Sequence, residues 1–244
     1  MNKKNIKEYI IDFSKTKKYF SIDDIKEELN NKAVNFKNDT LKRYCYDLKQ
    51  NNIIFGAGKG WYSPIKKEFK LDKEPIKKII KLLQNKFPFL EFSCWSTEQL
   101  KNYFHHLPSK FIIIIYAGKD FLQSIQDFLM DKDYNIYLNP YKGEVDKFVE
   151  LKPKTVILRH FFIPRTSNSQ YYASIEKILV DLFMENKKLN LIDLNEYRRI
   201  ISNIILNYRI NIPKTFDYAH ERKVEPEVKE VISSLIKSTN ATLF

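Results

Sequence analysis

The chain has 244 residues, 43% hydrophobic and 14% aromatic, enough for one large packed domain or two ordinary ones and too much for a disordered chain. Forty-two Lys and Arg against thirty Asp and Glu leave a net charge of +12, which favours polyanionic partners. Nine Pro and five Gly exclude a collagen-like or linker-like composition. The longest apolar run, Phe111 to Ala117, is strand length, far short of the roughly 18 residues that cross a bilayer.

In chain order, Lys3, Lys4 and Lys7 are followed by Glu8 and Asp12 instead of an apolar segment, so no signal peptide is expected and the protein is expected in the cytoplasm. Ile6, Tyr9, Ile10 and Phe13 have helical spacing and predict a first amphipathic helix. Ser21, followed by Asp23 and Asp24, supplies a cap and complements the helix dipole, so a second helix runs to about Asn30. A third begins near Asn35 to Asn38 and ends near Asn51, with Leu41, Tyr44, Cys45 and Leu48 facing inward. The triplets Ile53 to Phe55 and Trp61 to Ser63 flank Gly56-Ala57-Gly58-Lys59-Gly60 and read as a hairpin, with Trp61 packed under it.

Three helices and a hairpin in this order predict a winged helix-turn-helix over residues 1–65, a module whose third helix enters the major groove of DNA. Thirty-five of the basic residues are Lys in a chain also rich in Asn and Ile, so the surplus alone says little and its placement matters. Residues 1–65 hold thirteen basic and eight acidic side chains. Lys42, Arg43, Tyr46 and Asp39 are expected on the free face of the third helix, with Lys37, Asn38 and Thr40 at its start and Lys59 at the hairpin tip. Lys37, Lys42, Arg43 and Lys59 would neutralise phosphates, while Asn38, Thr40 and Tyr46 are candidates for base edges. The alternative is a protein-binding module in which these cations are merely solvated.

Residues 66–74, charged and bounded by Pro64 and Pro75, read as a linker. Beyond it a helix is expected over Ile76 to Leu83, a strand over Phe89 to Trp95, and a Ser96/Gln99 capping box for a helix through Phe104. The uniformly apolar Phe111 to Tyr116 predicts a strand buried on both faces. Helix over Asp120 to Met130, strands over Tyr134 to Leu138 and Thr155 to Ile163, and an ambiguous Val145 to Leu151 come next. The remainder reads as helices over Ala173 to Glu185, Leu194 to Tyr208, Ile212 to about Arg222 and Pro226 to Ile236. The fold class is therefore α/β in the α+β sense: a winged helix, then a small mixed sheet packed by helices over residues 75–244, with a helical C-terminal part.

The wing Gly58-Lys59-Gly60-Trp61-Tyr62-Ser63, the block Phe92 to Thr97, the block Ser174 to Phe183 and the late Phe216-Asp217-Tyr218-Ala219-His220-Glu221-Arg222 together resemble the AbiEi-type antitoxins of type IV toxin–antitoxin systems and their relatives. The resemblance implies that the winged helix represses the protein's own operon and that the C-terminal domain counteracts a nucleotidyltransferase-like toxin. The chain departs from the pattern at His220-Glu221-Arg222, where family members often double an Arg. Ile175, Ile178, Leu179 and Leu182 of the third block also form a core stripe, leaving Glu176, Lys177 and Asp181 to tie neighbouring elements together.

Catalytic readings are weaker. Lys59 is followed by Gly60 and Trp61 where a P-loop needs Ser or Thr and a helix. Tandem His105 and His106 diverge on a helix, and Cys45 and Cys94 stand alone, giving no zinc spacing and no disulfide framework; they read as reduced core thiols. Asp133 with Glu150-Leu151-Lys152 approximates a magnesium-dependent restriction-like nuclease, though Pro153 sits awkwardly for that chemistry. Arg159, His160 and Arg165, beside the polar tract after a strand, are a candidate partner or phosphate contact. No catalysis, metal or cofactor is expected; double-stranded DNA, the protein's own promoter, is the expected partner.

Overall fold

Asn5 opens the first helix because its side chain accepts from Lys7 N (3.2 Å) while Glu8 reaches back to Asn5 N (3.2 Å), satisfying two otherwise orphaned donors. The computed structural model describes residues 5–141, 152–160 and 171–238. Helix α1 is Ile6–Thr16, and strand β1 is the pair Phe20–Ser21. Ser21 then caps α2, Ile22–Asn31: its hydroxyl accepts from Asp24 N (3.1 Å) and the Asp24 carboxylate accepts from Ser21 N (2.6 Å). After a turn through Ala33 at φ +53°, α3 covers Asn38–Gln50, and Asn52 at φ +56° ends it. Strands β2, Phe55–Gly56, and β3, Trp61–Ser63, complete an antiparallel sheet in the order β1-β3-β2. Ile10, Phe13, Phe20, Ile25, Leu29, Leu41, Cys45, Leu48 and Ile54 form the core, so one stripe from each helix is buried in the winged arrangement.

The chain divides into two compact units, Met1–Phe69 with Ile201–Phe244, and Lys70–Ile200. The division differs from the expected 1–65, 66–74 and 75–244, because the late helices belong with the winged helix. Helix α7, Leu194–Asn207, contains the boundary; α8, Ile212–Glu221, and α9, Glu225–Ser238, come after it. The fully buried Tyr19 hydroxyl donates to Tyr208 O (2.6 Å) and accepts from Ile210 N (2.9 Å). Arg209 donates to Ile65 O (3.1 Å) and Lys66 O (2.9 Å) and lays its guanidinium over the Phe55 ring at 5.2 Å. Phe69 is buried and its N–H bonds Arg209 O at 3.1 Å, so the front of the expected linker is built into the first unit.

In the second unit the apolar run forms β5, Ile112–Ala117, inside a four-stranded sheet. Its antiparallel neighbour is β4, Phe92–Ser96; β6, Asn135–Leu138, and β7, Thr155–His160, run parallel to it, giving the order β4-β5-β7-β6. Alternation sends Ile115, Ala117, Val156 and Leu158 to one face, against helices α4 (Glu74–Lys86) and α5 (Leu122–Met130). Tyr116 and Arg159 point to the other face, where both reach Glu185 of α6, Ile175–Leu189. The expected α6 stripe is buried, as are Glu176 and Asp181. Two details differ from expectation: the capping box at Ser96 and Gln99 is formed, yet it opens a 3-10 helix over Thr97–Tyr103, and Phe89 is 98% exposed, outside β4. The mixture of helices with two small sheets is an α+β fold. Among the described residues, no helix is long and apolar enough to cross a membrane.

Candidate nucleic-acid interface

Helical spacing sorts α3 into two faces. Leu41, Cys45 and Leu48 are fully buried, and Tyr44 is half-buried. Burial pushes the Cys45 thiol up to about 11, moderated by a hydrogen bond with Tyr62, so the sulfur stays a neutral core atom. The opposite face carries Asp39, Lys42, Arg43, Tyr46 and Lys49, all exposed, with the Tyr46 ring 61% exposed. Steps of three and four residues make them one strip along the helix. Among the described residues, none of Lys37, Lys42, Arg43, Lys49 and Lys59 has an ion-pair partner. Lys37 and Asn38 are exposed at the helix start, and Lys37, the N-cap residue, makes no side-chain capping bond. Thr40 is half-buried.

The glycine-rich segment is the turn of the hairpin: Ala57 N bonds Trp61 O at 2.9 Å and Trp61 N bonds Gly58 O at 3.2 Å. Gly58 at φ +116° and Gly60 at φ +73° supply the left-handed backbone that closes it. A strand comes next instead of a helix, so this loop is not a phosphate-cradling P-loop. Lys59 is exposed at the tip. At the other end of the strip, Lys49 Nζ lies 3.6 Å from where a Cβ on Gly56 would be, which sets it over β2. Trp61 is half-buried and meets Phe216 of α8 edge-on, its ring centroid 6.2 Å away, a partner that the local pattern of the wing does not supply.

The second candidate site lies in the second unit and fares differently. Arg159 is buried and its guanidinium is taken up by Glu185, Pro140 O (2.6 Å) and Asn139, so it is a core ion pair and not a contact for a phosphate. His160 is half-buried; Arg165 and the polar tract around it lie outside the described residues. The nuclease-like pattern is spread out: Asp133 is an exposed turn residue at φ +61° before β6, Lys152 is exposed before β7, and Glu150 and Leu151 lie outside the described residues. His105 and His106 are both exposed, their rings edge-to-face at 4.2 Å. Among the described residues, no three His, Cys, Asp or Glu side chains gather where they could hold a metal ion.

One exposed cation on the α3 strip escaped the sequence reading. Lys49 is seven residues after Lys42 and three after Tyr46, so the helical period that selected those two also places Lys49 beside them.

Compared with the curated proteins, the sequence finds no match. The family of unknown function DUF6577 matches residues 40–238, from the first turn of α3 to the end of α9. With most of its length inside that match, the chain belongs to the DUF6577 family.

Proposed function

We propose that this protein is a cytoplasmic DNA-binding regulator of transcription, which sets α3 in the major groove of a duplex and the hairpin tip against the flanking backbone. The observation that carries the reading is the strip that holds Lys42, Arg43, Tyr46 and Lys49 beside Asp39: exposed cations that form no ion pair among the described residues, around an exposed aromatic ring. On α2 and at its C-cap, by contrast, Lys26 and Lys32 pair with Asp23 and Glu28 at 2.7 Å each. Uncompensated lysines at helical spacing release counterions when they meet phosphates, which gives binding a steep salt dependence. Lys59 extends the same charge to the wing, and Asn38 and Tyr46 supply hydrogen-bonding groups for base edges.

The resemblance to AbiEi-type antitoxins supports a more specific role: the operon repressed is the protein's own, and the unit Lys70–Ile200 counteracts a nucleotidyltransferase-like toxin. DNA is bound and not cut. A gel-shift of the full chain on its own promoter against a random duplex, at two salt concentrations and with and without magnesium, tests this. The expected result is a promoter-preferring, salt-sensitive shift with the duplex intact; equal affinity for both duplexes, no shift, or magnesium-dependent cleavage overturns it.

A further inference from the structure

The wing does not stand alone in its unit. Ile212 N donates to Ala57 O at 3.0 Å. A Cβ built on Gly58 would collide with Asn211 Oδ1 and lie 2.5 and 2.9 Å from Pro213 Cδ and Cγ, so the turn rests directly on the start of α8. Asn211 is the cap of that helix, accepting from Lys214 N at 3.0 Å, and Trp61 meets Phe216 one turn further on. The tip of the wing and the first turn of α8 thus form one continuous surface.

Lys59 directly follows Gly58, and Lys214 directly follows Pro213, so each lysine is the chain neighbour of a residue in that close contact. Both are exposed, and among the described residues neither has an ion-pair partner. Asp217, one helical turn beyond Lys214, is exposed and does not pair with it. Two uncompensated ammonium groups carried by the neighbours of that contact would both be neutralised by a chain of phosphates running past it.

We propose that Lys214 contacts DNA phosphates on the same surface as Lys59, so that the footprint runs from the wing onto α8. The inference rests on the DNA-binding reading, and it makes the late helices part of the reading head, where the local sequence pattern confined that head to residues 1–65. Asn211 and Pro213 act as positioning residues for the wing turn.

The test is fluorescence anisotropy of the full chain with a labelled promoter duplex and a scrambled duplex, titrated between about 50 and 200 mM salt. Lys214→Ala and the stem-retaining Lys214→Gln should weaken both duplexes alike by about threefold or more and flatten the log–log salt slope by about one, as Lys59→Ala does. The double variant should flatten it by about two. If Lys42→Ala and Lys59→Ala flatten the slope while both Lys214 variants leave it unchanged, the inference fails and the DNA-binding reading stands. Flattening by Lys214→Ala with Lys59→Ala silent also defeats the shared surface. Absence of duplex binding by the unaltered chain sinks the reading itself, and the inference with it.

Discussion

Arg159 on β7 places both Nε and Nη2 on a single oxygen of Glu185 on α6, at 2.9 and 2.6 Å, while the other Glu185 oxygen accepts from the Tyr116 hydroxyl at 3.1 Å. The side chains are 3% and 0% exposed, so neither charge has water to fall back on. Glu185→Ala strands the guanidinium and should cost about 3–5 kcal/mol in urea denaturation. The double variant Arg159→Met, Glu185→Leu should be markedly less damaging than either single loss, because it removes both desolvation penalties. A single variant within about 0.5 kcal/mol of the unaltered protein would contradict a sealed ion pair.

Gly58 and Gly60 should respond differently to alanine. At Gly58 the new methyl meets both a left-handed φ of +116° and the Asn211 and Pro213 side chains. At Gly60, φ +73°, it meets nothing within 4 Å. Gly60→Ala should therefore cost only the backbone strain, about 1–2 kcal/mol, and Gly58→Ala clearly more, read as calorimetric melting temperatures. Equal shifts would mean that the wing does not rest on α8.

On the proposed function, Lys42→Ala and Tyr46→Ala should separate charge from readout. Both side chains are exposed and outside the core, so melting should not change. Lys42→Ala should weaken promoter and random duplexes equally and flatten the salt slope by about one. Tyr46→Ala should leave the slope alone and narrow the preference for the promoter by about 1–3 kcal/mol. A Lys42 effect confined to the promoter would reassign that residue to base recognition.

Thiol chemistry reports on packing. Burial raises Cys45 from its ordinary 9.0 to about 11 and drives Cys94 upward as well, so at pH 8 both favour the unreactive protonated form in the fold more than in the unfolded chain. Because the folded value lies above the unfolded one, stabilisation from Cys45 is complete below pH 9 and is lost as the pH climbs towards 11. Alkylation of the native protein at pH 8 should track unfolding, and both thiols should react promptly in denaturant. A rapid native burst of one thiol per chain would show that one of the two cysteines is not sealed.

Local signals were legible wherever the physics is local. Ser21 with Asp24 and Ser96 with Gln99 each cap the helix that begins at the next residue, and the run ending at Ala117 becomes the buried central strand. The 3-10 winding after Ser96 was not legible, since a capping box fixes a helix start and not its pitch. β1 has no signature in the sequence because two residues carry no period. An Arg at a strand end beside polar residues, as Arg159 is, has the local pattern of a surface contact; its partner lies 26 positions away on a helix whose pattern says only that it is amphipathic. In the candidate interface, α3 could be read from its stripe, but the brace behind the wing depends on Ile212 meeting Ala57, a pairing no local pattern encodes.

The late joining of Ile201–Phe244 to Met1–Phe69 has a consequence for biosynthesis. While the ribosome is still adding the intervening residues 70–200, the nascent winged helix lacks the segment on which its hairpin turn rests, and Tyr19, Phe55 and Gly58 are left without their Tyr208, Arg209 and Asn211 neighbours. The first unit of this polypeptide emerges first and is finished last, its hairpin turn seated only once synthesis has passed α8.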